Sequence, residues 1–264
     1  MSPANDLEYL ELEQQDHVAV VTFSSPPANF LHLDALREYG SLLRRLDGDE
    51  DCRAIVLAAQ GKVFCAGADF SDAIRELERG GNPFEALDEF YAEAMALFDI
   101  RTPMVAAVQG AAIGAGLGLS LVADFRIASA ATTFSANFNR LGFHPGFGMT
   151  ETLPRLIGSH NAELLFYTGR RIKGDEAERL GLVTKLVEPD AVKEAAIGLA
   201  GEIALSAPRA VKDTRDTMRG PLGARVREAN ARELRLQSEE MKTQDFREGI
   251  AASLERREPR FTGR

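Results

Sequence analysis

Met104-Val105-Ala106-Ala107-Val108-Gln109-Gly110-Ala111-Ala112-Ile113-Gly114-Ala115-Gly116-Leu117-Gly118-Leu119-Ser120-Leu121-Val122-Ala123 holds only two polar side chains, Gln109 and Ser120. Its length and apolarity are those of a membrane span. Four glycines, Gly110, Gly114, Gly116 and Gly118, fall in its middle, and each costs a helix interior about 1 kcal/mol. The stretch therefore reads as a buried strand over Met104–Val108, a glycine-rich loop and a buried helix over Gly114–Leu121. A β-like run, Asp124 to Ser135, follows.

Outward from this stretch the same alternation recurs. Leu7 to Glu13 alternates apolar and acidic residues and Val18 to Phe23 is rich in β-branched ones, which predicts an antiparallel hairpin ended by Pro26 and Pro27. Leu33, Leu36, Leu42, Leu43 and Leu46 mark an amphipathic helix, and Ala54 to Ala59 a short apolar strand. Phe84, Leu87, Tyr91, Met95 and Phe98 predict a helix that stops before Pro103. Strands separated by helices predict an α/β core with both sheet faces covered. After about Gly146 helix signals crowd together at Thr150–Leu156, Ser159–Tyr167 and Asp175–Leu180, with one β run at Leu182–Val187. From Asp190 to Arg257 the pattern is nearly all helical. The expected division is a core over 1–200 and a helical C-terminal region over 201–264, with no flexible linker, low-complexity segment or repeat.

The chain has 264 residues, 45% hydrophobic and 27% charged, enough to bury a substantial core, and a formal charge of −9. That charge argues against a nucleic-acid binder, which needs a basic face. The charge is unevenly placed: residues 209–264 hold 14 basic and 10 acidic side chains, a net +4, leaving −13 for the rest. Such a basic end suits a small anionic ligand. Cys52 and Cys65 are too few for a disulfide framework, and no Cys/His cluster has metal-ligand spacing, so no metal is expected. A cytoplasmic location with no membrane partner is the expectation, since the acidic N-terminus has no Lys or Arg before Arg37, unlike a secretory or transit leader.

Two glycine-bearing loops carry the chemistry: Val63-Phe64-Cys65-Ala66-Gly67-Ala68-Asp69 and Gly110 to Gly118, each between a predicted strand and a predicted helix. Such a loop exposes backbone N–H groups beside a helix dipole. A dinucleotide fingerprint fails, because its third glycine falls on Leu119, and no Gly-Lys-Ser/Thr follows for a P-loop. Small residues that merely let a helix pack on a sheet explain one such loop; two favour a pair of N–H donors.

Both loops, the run on to Phe125, Leu141-Gly142-Phe143-His144-Pro145-Gly146-Phe147-Gly148, Thr168-Gly169-Arg170, Glu176-Ala177 to Gly181-Leu182-Val183, and the ending Asp245 to Phe261 together resemble the enoyl-CoA hydratase/isomerase (crotonase) superfamily. The resemblance runs from about residue 7 to the end. It implies a crotonase-like (ClpP/crotonase) spiral of ββα units, a helical C-terminal trimerisation region, homotrimers or dimers of trimers, and a coenzyme A thioester as ligand. No permanently bound cofactor is implied, coenzyme A being part of the substrate. The N–H groups of Ala68 and Ala115 are implied to form an oxyanion hole, with Asn29, Leu31, Ala66, Asp69, Gly114, Gly118 and Phe138 around the substrate, and Lys62 and Phe261 near the coenzyme.

The sequence departs from the family at its two catalytic glutamates, whose positions hold Gly118 and Phe138, neither able to carry a proton. That pair resembles the aromatic-acyl-CoA dehalogenase branch, but the nucleophilic aspartate of that branch is Gly146 here. Gly118 and Phe138 predict an enlarged, aromatic-lined acyl pocket, unless Phe138 is simply core. His144 is the candidate relocated proton carrier or a packed structural residue; Asp69 is a second carrier or a helix cap. His32 reads as a cap, and Asp72 and Glu151 as helix carboxylates. Arg256, Arg257, Arg260 and Arg264 suit phosphates or a solvated helix end. Three functions stay open: an acyl-CoA hydratase or isomerase (or another lyase or hydrolase using His144), a non-catalytic acyl-CoA binder, and a dinucleotide oxidoreductase.

Overall fold

The apolar runs Val18–Phe23, Ala54–Ala59 and Met104–Val108 leave no face for water, so each needs cover on both sides. The structure, a computed structural model, describes residues 7–69, 74–75 and 79–264. Asp72 and the start of the helix expected after Asp69 lie outside them. The hairpin forms as β1 (Leu10–Gln15) and β2 (Val18–Phe23), with Leu10 opposite Phe23. Parallel to β2 run β4 (Ala54–Ala59), β6 (Met104–Val108), β8 (Phe125–Ala128) and β11 (Lys185–Leu186), in the order β1-β2-β4-β6-β8-β11.

After β2, β4, β6 and β8 the chain leaves the large sheet and adds a short strand beside it. These are β3 (Phe30–Leu31), β5 (Gly67–Ala68), β7 (Ala111–Ile113) and β9 (Thr133–Ser135). β3 pairs with β5, β7 with β9, and a bridge from Cys65 to Ala112 links the two pairs; β10 (Arg171–Lys173) closes the far side on β9. Helices α1 (Leu33–Asp47), α2 (Phe84–Ala96) and α3 (Ala115–Val122) return the chain to the next large-sheet strand. This is the expected spiral. The β run expected over Asp124–Ser135 is two strands in two sheets, because Thr132 folds back, its N–H donating to Ser129 O at 3.0 Å and its hydroxyl accepting from Ser129 N–H at 3.1 Å.

Alternation along each strand divides the core. Ala19, Val21, Phe23, Ile55, Leu57, Met104, Ala106 and Val108 join the main cluster. Val18, Val20, Ala54, Val56, Ala58, Val105 and Ala107 face α7 (Val192–Ala204), whose Val192, Ala196, Ala200 and Ala204 form one buried stripe at helical spacing. The division expected after residue 200 therefore cuts a helix that covers the sheet, and the core extends through Ala204. Beyond it come α8 (Pro208–Arg219), α9 (Leu222–Glu240) and α10 (Gln244–Glu255). Between β9 and α7 lie α4 (Met149–Ile157), α5 (Ser159–Thr168) and α6 (Gly174–Arg179). Among the described residues no helix is long and apolar enough to cross a membrane.

Asp124, just past α3, ties α8 to the core. Its carboxylate accepts from Arg215 Nε at 2.9 Å, Arg219 Nε at 2.9 Å and the Met104 N–H at 2.9 Å. All three side chains are well shielded from water, so the pair is costly to break from one side only. Asp124→Asn is expected to lower unfolding free energy by about 3 kcal/mol in urea titration, by leaving two arginines without their carboxylate.

Candidate active site

The two glycine-bearing loops meet as a short parallel ladder. Phe64 N–H donates to Gln109 O at 3.0 Å, Cys65 N–H to Ala111 O at 3.1 Å and Ile113 N–H to Cys65 O at 3.1 Å. Glycine is required where they touch. A Cβ at Gly110 would lie 1.8 Å from Lys62 O, and one at Gly116 would lie 2.2 Å from Cys65 O.

Ala68 lies on β5 and Ala115 in the first turn of α3, two elements that pack against each other. Ala115 is the first residue of its helix, so its N–H has no intrahelical acceptor. Gly67 is paired with β3 and the Asp69 N–H donates to Leu31 O at 2.8 Å, so the intervening Ala68 N–H points away from β3. The helix carries its positive end here. At its opposite end the buried Arg126 guanidinium donates to the carbonyls of Ser120, Ala123, Asp124 and Leu182, at 2.6 to 3.1 Å. Burial lowers Arg126 to about 10, still charged at neutral pH. The negative end of α3 is thus neutralised and the positive end left for a ligand.

Aromatic rings surround that turn. Gly118 lies three residues after Ala115 and on the same face, and a Cβ there would lie 2.5 Å from Phe147 Cγ. The volume expected to be vacant at Gly118 is therefore filled, and the enlarged pocket is not what the chain builds. Phe138 is buried at 3% exposure, its ring 5.6 Å from that of Phe143 and its tip 3.9 Å from the Cβ position at Gly114. Phe143 in turn packs on Phe246 at 5.3 Å.

Three residues of α9 hold this wall. Glu233, fully buried, accepts from Gly148 N–H at 2.7 Å, Thr150 N–H at 3.0 Å and Thr150 Oγ1 at 2.5 Å, capping α4, whose own cap residue Gly148 has no side chain. Burial still raises its pKa above the usual carboxylate value. Gln237 donates to His144 O at 2.6 Å and accepts from Tyr91 Oη at 2.8 Å. Glu240 accepts the His144 N–H at 2.5 Å. Spaced by four and three, these polar residues form one face of α9, a pattern that in the sequence alone is indistinguishable from an ordinary solvated helix face.

Other candidates sit elsewhere or are engaged. His144 lines a groove of about 1000 Å³ with Thr150, Glu151, Glu163, Glu240 and Asp245, whose walls include neither Ala68 nor Ala115. Its Nδ1 lies 2.7 Å from Pro145 O. The Asn29 side chain, expected at the substrate, instead donates to Gln60 O at 2.9 Å and Val63 O at 2.7 Å and accepts from Ser25 N–H at 2.9 Å, which leaves it no free donor pair for a ligand. Leu31 is fully buried core, and the Ala66 N–H donates to Ala28 O at 3.1 Å. His32 caps α1 through Ala35 N–H. Asp69 and Lys62 are exposed, and Phe261 is 41% exposed. Arg257 is paired with Glu248 and Glu255, and Arg264 O accepts from Asp245 N–H, so the tail folds back on α10 of its own chain. Both thiols are free, and burial pushes Cys52 and Cys65 up to about 12, too high for nucleophiles at neutral pH.

The description enoyl-CoA hydratase/isomerase belongs to the family model that matches residues 13–264. A short-chain-enoyl-CoA hydratase of Clostridium acetobutylicum is 35% identical over 254 residues, 96% of this chain and 97% of its own. A probable enoyl-CoA hydratase of Rhizobium meliloti is 35% identical over 97% of this chain and 99% of its own. The crystal structure of an enoyl-CoA hydratase/isomerase from Pseudoalteromonas atlantica superposes with a TM-score of 0.85 at 31% identity, covering 97% of this chain and all (100%) of the other.

Removing the Glu233 carboxylate leaves the two α4 amides unpaired: Glu233→Ala is expected to cost about 2 kcal/mol in chemical denaturation, and Glu233→Gln, which keeps one acceptor, about half as much.

Proposed function

We propose that this chain, which belongs to the enoyl-CoA hydratase/isomerase family, is an enzyme that binds an acyl-CoA thioester and stabilises its enolate between the N–H groups of Ala68 and Ala115. The observation that carries this reading is the pair of backbone N–H groups on β5 and at the positive end of α3. Charge builds on the thioester oxygen when the α-carbon loses a proton or when a nucleophile adds at the β-carbon. Two fixed amides favour that charged state over the neutral thioester, and removal of one such donor costs about 3 kcal/mol in comparable sites.

Within this reading the chemistry is 2-enoyl-CoA isomerisation or hydration. In isomerisation a base removes an α-proton from a 3-enoyl thioester, the electron pair moves onto the carbonyl oxygen, and reprotonation at the γ-carbon gives the 2-enoyl product. His144, and Asp69 next to Ala68, are the two side chains proposed to carry that proton. The glycine at 118 and the phenylalanine at 138 speak for a second reading, a protein that binds the thioester without turnover. Assembly as homotrimers, or dimers of trimers, completes the proposal; apolar side chains left outside, Tyr167 and Leu254 among them, support it, and the free thiols support a cytoplasmic location.

A panel of acyl-CoA thioesters screened by mass spectrometry for retained ligand and for changed mass tests both readings. Turnover is expected for at least one enoyl thioester. Ala115→Pro, which deletes the N–H at a first helical position where proline fits, is expected to lower kcat/KM about 100-fold with little loss of Tm. Retention of every thioester unchanged would leave the binding reading, and retention of none would overturn both.

A further inference from the structure

The contact between Gly118 and Phe147 reaches beyond packing. Phe147 is fully buried and holds φ at +65°, a left-handed conformation that a bulky residue adopts only when its surroundings enforce it. The enforcement is visible. On one side the next residue, Gly148, also left-handed at φ +64°, gives its N–H to Glu233; on the other, Gly146 lies so close to Tyr91 that a Cβ there would be 2.2 Å from Tyr91 Oη. Tyr91 and Glu233 thus clamp the backbone on both sides of Phe147 and aim its ring at Gly118.

Gly118 stacks on the same face of α3 as the Ala115 donor, one turn deeper. On the acyl-CoA reading, the acyl chain of a thioester held at the Ala115 N–H runs along this face. There it meets the Phe147 ring at Gly118 and the Phe138 ring at Gly114. The volume that glycine frees is not offered to the ligand but taken by the protein.

We propose that Phe147 is the specificity-determining residue of the acyl site: its ring closes the space behind the Ala115 donor and restricts the site to acyl groups that are short beyond the thioester carbonyl. This rests on the acyl-CoA reading above. Each methylene that finds room in an apolar slot strengthens binding several-fold, so opening this wall shifts the preferred chain length rather than affinity for coenzyme A itself.

The test compares acetyl-, butyryl- and octanoyl-CoA binding by calorimetry in the full chain and in Phe147→Ala, with Phe147→Leu as a milder truncation. Wild type is expected to bind octanoyl-CoA more weakly than butyryl-CoA. Phe147→Ala is expected to raise the octanoyl-to-acetyl affinity ratio by about tenfold or more, with Phe147→Leu between the two. An unchanged ratio in proteins that still bind acetyl-CoA overturns the proposal and leaves the thioester reading standing; failure of every thioester to bind wild type overturns that reading as well. The packing itself is read independently of ligand. Gly118→Ala is expected to lower Tm and Gly118→Ala/Phe147→Leu to recover part of the loss, whereas a harmless Gly118→Ala would show that the ring does not fill that space and would also overturn the proposal.

Discussion

Backbone touching backbone is the constraint on which the rest of this structure depends. Gly116 rests on the carbonyl of Cys65, and Gly110 on that of Lys62, each at a distance that excludes any side chain. Because of this approach α3 begins beside β5 rather than a side-chain width away. The two amides proposed to do the chemistry are therefore positioned by covalent geometry and ladder hydrogen bonds, not by rotamers. No side-chain entropy is lost in aiming them, and no solvent has to reorganise when charge develops.

The second element of order is the face of α9 formed by Glu233, Gln237 and Glu240. It fixes residues 144 to 150 through their backbone groups while the Asp124 cluster fixes α8. The C-terminal helices are thus part of the site's support. Buried polar groups of this kind are costly when half-satisfied, and here each carboxylate or amide meets donors and acceptors of the right kind, which makes the arrangement rigid and specific. It also explains why an acidic residue sits fully buried without an arginine partner: Glu233 replaces the cap that Gly148 lacks.

Much of this could be read before the fold was known. Hydrophobic period located β2, β4, β6 and the helices around them, and the glycines of 110–118 correctly divided an apolar run into strand, loop and helix. Two-residue strands such as β3 and β5 left no such signal, since their existence depends on a neighbour in space and not on local pattern. The boundary drawn at residue 200 failed for the same reason: alanine-rich α7 looks like any helix until its stripe is seen to face the sheet. At the site, the two glycine-bearing loops showed in the sequence as runs of small residues. The space at Gly118 was misjudged, because a glycine in sequence reports a missing side chain and says nothing of what a distant residue, here Phe147, puts there. Asn29 was misjudged similarly, its polar head turning inward to bind carbonyls of the adjacent loop.

The pairing of Gly118 with Phe147 also gives the protein a direction in sequence space. A chain with a carboxylate at 118 could exchange it for glycine while a small residue stood at 147, and then admit the ring. The reverse order is barred: with the ring in place every residue larger than glycine at 118 collides with it. With the phenylalanine in place, a single substitution at 118 does not install a carboxylate there; at least two coordinated changes are needed. A structural plug of this kind acts as an epistatic ratchet: the volume of one benzene ring keeps position 118 a glycine.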